Sequence, residues 1–129
     1  MNVHRIPVHW DFKNKNMTKL FYRIGTDTNE GLWYDKNGNF TGLIHSKFDF
    51  CTNSKLEMPY DPEIVGYLSV ADSLEHLYQW FTKQDILKLQ EYGFSILEYK
   101  SFEWKFYQPF QHNVIKQTSS ILTNKLILV

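Results

Sequence analysis

"VGYLSVADSLEHLYQWFTKQDILKLQEYGFSILEYK", residues 65–100, runs strand, helix, helix, strand without a break. "VGYLSV" (65–70) is a short apolar run of strand formers. Asp72 can accept from the N–H groups that open a helix, and Glu75 three residues on completes a capping box. Leu74, Leu77, Tyr78 and Phe81 then recur at helical spacing and share one face. Thr82 with Asp85 repeats the device for a second helix carrying Ile86, Leu87 and Leu89. That helix ends at Gly93, because glycine tolerates the positive φ of a C-terminal cap. "FSILEYK" (94–100) returns as a strand.

The flanks supply further strands. "KLFYRIGT" (19–26) alternates Leu20, Tyr22 and Ile24 against Phe21 and Arg23. "GLWYDKNGNFTGLIH" (31–45) reads as a hairpin turning at Asn37–Gly38. Residues 46–65 form an irregular connection, since Pro59 and Pro62 cannot donate to a central ladder. "FEWKFYQPF" (102–110) is aromatic and stops at Pro109, and "QHNVIKQ" (111–117) and "KLILV" (125–129) are the last strands. Residues 1–18 are expected to be an extended arm. The expected fold is α+β: one domain over residues 1–129, a twisted, mostly antiparallel sheet with a helical pair between its middle strands.

Composition narrows the function classes. The chain has 129 residues, of which 43% are hydrophobic, enough for one domain with a real core. Fourteen basic residues balance fourteen acidic ones, so nothing draws the whole molecule to nucleic acid or an anionic membrane. Mimicry of nucleic acid would need a strongly acidic face; the acidic residues of "YDPE" and "DSLE" make a small patch at most. A lone cysteine, Cys51, closes no internal disulfide and points to a reducing, cytoplasmic setting. The mixed start "MNVHRIPVHWDF" is not a signal peptide and no segment reads as a membrane span, so the sequons at Asn16 and Asn39 carry no meaning.

Each chemical motif has a plainer reading beside it. "DKNGNFTG" from Asp35 offers oxygens at alternate positions, but a calcium loop wants glycine sixth and glutamate twelfth, where Phe40 and Ser46 stand. A hairpin turn explains it. His4, His9, His45, His76 and His112 show no metal-ligand spacing, and His76 is expected on the exposed face of its helix. Cys51 reads as a half-buried small hydrophobe rather than a nucleophile. Arg23 is mid-strand and faces away from Tyr22 and Ile24. Exposed, it is a solvated charge; in a cleft it is a fork for phosphate or carboxylate.

One order of residues carries a family resemblance. "YR" (Tyr22, Arg23) is followed by "GLWY" (31–34), by Ser69 leading into a helix in "GYLSVADSLEHL", then by "GFSILEY" and "QHNVIKQ". This resembles the ADP-ribosyltransferase-like fold over about residues 20–117, whose motifs here are short. The resemblance implies NAD or nucleotide binding at Arg23 and Ser69, flanked by Trp33 and Tyr34, with the catalytic position falling on Gln111. The family has glutamate there. Gln keeps a hydrogen bond but lacks the charge that stabilises a developing oxocarbenium ion; Glu98 and Glu103 are the nearby carboxylates. The chain is also similar in texture to small tailed-phage proteins: short, cysteine-poor and rich in Asn, Lys and Tyr.

Two expectations follow. The first is a phage-type accessory protein that inhibits a bacterial antiviral defence system by binding a host or defence protein, through Trp104, Phe106, Tyr107 and Phe110. The second is an ADP-ribosyltransferase-like enzyme or nucleotide binder using NAD. No metal is expected in either.

Overall fold

The computed structural model describes residues 3–7 and 17–129. Among these residues, seven strands and two α-helices follow in order: β1 (Val3–Pro7), β2 (Lys19–Gly25), β3 (Tyr67–Val70), α1 (Leu74–Trp80), α2 (Lys83–Gln90), β4 (Ser95–Ser101), β5 (Trp104–Tyr107), β6 (His112–Lys116) and β7 (Ser120–Leu128). The molecule is a small α+β domain with two antiparallel sheets rather than the single sheet expected. Their strand orders are β1-β7-β4-β2 and β3-β6-β5.

The division has a local cause. β4 continues into β5, and β6 into β7, so one long ribbon serves both sheets. At the bend a run of serines takes over from the ladder. The Ser101 hydroxyl donates to the carbonyls of Glu103 (3.0 Å) and Ser119 (3.3 Å), and Ser120 donates to the Lys116 carbonyl at 2.6 Å. These short side chains satisfy backbone groups that the turned ribbon no longer pairs. The sheets meet again at a bridge in which Tyr22 and Ala71 exchange backbone hydrogen bonds of 2.8 and 2.7 Å.

The first sheet is the middle layer, which explains why β2 is apolar on both faces. Phe21 joins Val70, Leu97, Tyr99 and Ile115 between the two sheets. Tyr22 and Ile24 join Ile96, Leu126, Leu77, Phe81, Ile86 and Leu89 beneath the helices. Each such buried side chain contributes about 1.5–3 kcal/mol.

Several expectations change in detail. The arm contains β1, which pairs along β7 from Val3–Leu128 to Pro7–Asn124; His9 and the Asn16 sequon lie outside the described residues. The cap of α1 is Ser73, whose hydroxyl accepts from the His76 N–H, not Asp72. Asp72 is thereby free to reach the His76 ring at 3.0 Å, and His76 is half-buried against Trp80 rather than exposed. The Thr82–Asp85 capping box stands as expected, and Gly93 has φ 88°. Residues 34–40 close by one bridge, Tyr34–Phe40, around the Asp35 side chain rather than as a two-residue hairpin. Of Asn37 and Gly38, only Gly38 takes a positive φ.

Candidate functional site

A cavity of about 350 Å³ opens where β2 ends and β3 begins, under the loops of residues 29–38 and 58–66. Arg23, Ser69, Trp33 and Tyr34, the four nucleotide-site residues expected from the sequence, all line it. Arg23 arrives there by strand alternation. It continues the Phe21 face toward the end of β2, where its cross-strand neighbour is Leu97. Ser69 reaches the lining beside Tyr67 and Leu68 on β3. Its hydroxyl has no hydrogen-bond partner among the described residues.

The Arg23 guanidinium is the electrostatic centre. It is half-buried and donates to the Asn29 side-chain oxygen at 3.0 Å, and no carboxylate pairs with it among the described residues. Asn29 holds φ 65°, a conformation that Asn tolerates better than most residues. Gly31 leaves the guanidinium its room: a Cβ there would lie 2.7 Å from the Arg23 Nη2 atom. Arginine has five N–H donors, so most remain for a ligand.

The walls are aromatic and tied down by their polar ends. The Trp33 indole donates to the Leu56 carbonyl at 3.0 Å, and the Tyr34 hydroxyl donates to the Met58 carbonyl at 2.8 Å. Burial raises the Tyr34 phenol above its ordinary pKa. Trp80 and Phe81 come from the end of α1, and Phe110 from the turn before β6. Asp35 sits at the edge, held below the usual carboxylate range chiefly by the Asn39 N–H and then by that of Asn37. Those bonds occupy it as a loop organiser. No cluster of metal-ligating side chains occurs among the described residues.

Gln111 is elsewhere. It is exposed at φ 59°, its amide donates to the Gln108 carbonyl at 2.7 Å, and it is not on the cavity lining. Nor are the alternative carboxylates. Glu98 is 1% exposed within β4 and accepts from the Asn124 amide at 2.6 Å, while Glu103 accepts from Ser119 in the ribbon bend. The aromatic stretch also divides. Trp104 packs on Phe21, Tyr107 is buried, Phe110 joins the cavity wall, and Phe106 is 58% exposed.

Cys51 is more deeply buried than the half-buried position expected, and burial, reinforced by Asp85, pushes its thiol up to about 12, which leaves no thiolate at neutral pH. Sequence reasoning missed Asn29 and Tyr60. The one available signal was "TDTNEG" (26–31), a turn-forming run directly after the arginine strand. No helix among the described residues is long and apolar enough to cross a membrane. The chain matches no protein-family model, no curated protein and no solved structure.

Proposed function

We propose that this protein acts by binding, taking a small anionic ligand on Arg23 inside the aromatic cavity. The observation that carries this is the half-buried guanidinium, held by Asn29 in the room that Gly31 leaves it, with no carboxylate partner among the described residues. A buried cation is costly without a partner, and a fork of preset donors facing a cavity suits phosphate or carboxylate. That Arg23 and Ser69 line one cavity is also what supports an ADP-ribosyltransferase-like arrangement with NAD. Transfer chemistry would further need a carboxylate beside the reacting sugar, and binding needs none. The test is a titration with inorganic phosphate and benzoate, followed by the side-chain N–H resonances of Arg23 and Trp33. Shifts that vanish in Arg23→Ala support the reading; unmoved resonances at millimolar anion reject it.

A second reading retains the phage-type, anti-defence role through a protein partner. Phe106 on the outer strand β5, with Lys105 beside it, supports this, because an exposed aromatic next to unpaired strand edge groups suits strand-addition contacts. Affinity capture from bacterial lysate with wild type and Phe106→Glu in parallel tests it. A partner lost only in the variant is the expected result.

A further inference from the structure

The cavity also constrains which anion fits. We infer that its ligand is a nucleoside monophosphate: one phosphate on Arg23 and one base on the aromatic lip formed by Tyr60. This rests on the binding reading above and goes further in naming a ligand class.

Size speaks first. A volume of about 350 Å³ is at the small end of the range of about 300–1,000 Å³ that ligand pockets span, enough for one ring system, a sugar and one phosphate. A dinucleotide would leave half of itself outside. Charge speaks second. The lining carries two cations, Arg23 and Lys36, and two anions, Asp35 and Asp61. One phosphate, with a charge of about −1.5 to −2, is met by the two cations. A triphosphate would bring its further charges against Asp35 and Asp61, and like charges brought together discriminate against a ligand.

The third point is a ring with no partner. Tyr60 lines the cavity yet is 70% exposed, and its ring and hydroxyl contact no aromatic or polar partner among the described residues. Its segment is nevertheless anchored on both sides. Tyr34 holds the Met58 carbonyl, and Asp61 accepts from the Glu63 N–H at 3.0 Å. An anchored lip that presents an unused aromatic face on a cavity that also holds a guanidinium is a stacking platform for a base, and every base has a π-face. Trp33 and Phe81, already paired edge to face at 6.2 Å, form another part of the wall.

Quenching of Trp33 and Trp80 fluorescence reports occupancy, with AMP, adenosine, ATP, NAD and inorganic phosphate as probes. AMP is expected to bind about tenfold or more tightly than adenosine, and than ATP or NAD. Tyr60→Ala should weaken AMP about tenfold while leaving inorganic phosphate unchanged, since only the base stacks. Arg23→Lys, which keeps the charge but loses the fork, should weaken AMP and phosphate together. Thermal melts of each variant show that it is folded. ATP or NAD binding as tightly as AMP, or an unchanged AMP affinity in Tyr60→Ala, overturns the monophosphate assignment while the anion site stands. Failure of every phosphate-bearing probe, inorganic phosphate included, removes both.

Discussion

The Arg23 guanidinium donates to the Asn29 side chain across 3.0 Å, and Asn29 takes φ 65° to stand there. The same oxygen accepts from the Tyr99 hydroxyl at 3.3 Å, so one amide ties β2, its following turn and β4. Asn29→Gly keeps the backbone comfortable but removes the acceptor. Anion affinity should then fall about three- to tenfold through lost preorganisation, with a stability loss of about 1 kcal/mol from the Tyr99 hydroxyl left without its acceptor. Asn29→Ala should lose the same affinity and a further ~1–2 kcal/mol of stability, the cost of a left-handed residue with a Cβ. Isothermal titration and urea unfolding separate the two effects.

Gly31 tests the same geometry by sterics. A Cβ there meets Arg23 Nη2 at 2.7 Å and the Tyr34 carbonyl at 3.0 Å. The carbonyl is backbone and cannot give way cheaply, so the guanidinium must move. Gly31→Ala should destabilise by about 1–3 kcal/mol through overpacking. It should weaken anion binding about tenfold or more, the worth of a lost charged hydrogen bond. Chemical denaturation and titration with phosphate check both.

Asp85 is the strongest local determinant of the helical layer. Its Oδ2 accepts from the Thr82 N–H at 3.1 Å and, far away in sequence, from the Thr52 N–H at 3.0 Å. Asp85→Ala strands two donors at a buried position and should cost about 2–4 kcal/mol, combining the cap and an unpaired backbone group. Thr82→Ala, which loses only the cap acceptor, should cost about 1 kcal/mol. Urea midpoints of the two variants give the comparison.

His112 makes stability depend on pH. It is 4% exposed, its ring lies against Trp80 and Phe110, and its Nε2 atom has no hydrogen-bond partner among the described residues. Burial, with His76 adding to it, pushes its pKa down to about 4. The folded state therefore holds His112 neutral while the unfolded chain binds a proton below about 6.5. The unfolded state carries more protons in that interval, so stability is fully present above pH 6.5 and is lost as pH falls toward 4. The loss reaches about 3 kcal/mol at the lower end. His112→Phe removes the titrating group; its urea midpoint should fall less than that of wild type between pH 7 and pH 5.

Legibility followed distance along the chain. The strand at 19–26, the Thr82–Asp85 box and the Gly93 stop were readable because each depends on residues within one or two turns. The first cap shows the limit of that reading. Asp72 and Ser73 are both cap formers; Ser73 takes the cap and Asp72 reaches the His76 ring instead, a pairing that the capping pattern alone does not show. In the 31–45 segment, Asn37–Gly38 is a strong turn signal, yet Asp35 gathers the Asn37 and Asn39 N–H groups into a longer loop. At the site, Arg23, Ser69, Trp33 and Tyr34 are nameable one at a time, whereas the Tyr60 lip is not, because nothing local marks a ring left 70% exposed at a cavity edge.

What the sequence by itself determined is the run of local elements, since caps, alternation and turn residues act over a few bonds. Only the tertiary structure decided that the ribbon bends at Ser101 and Ser120 into two sheets, that β2 is buried on both faces, and that Arg23 and Ser69 line one cavity from which Gln111 is absent. The reason is physical: where a long ribbon bends, and which strand ends then converge, depends on packing between layers distant in the chain, which no local pattern encodes.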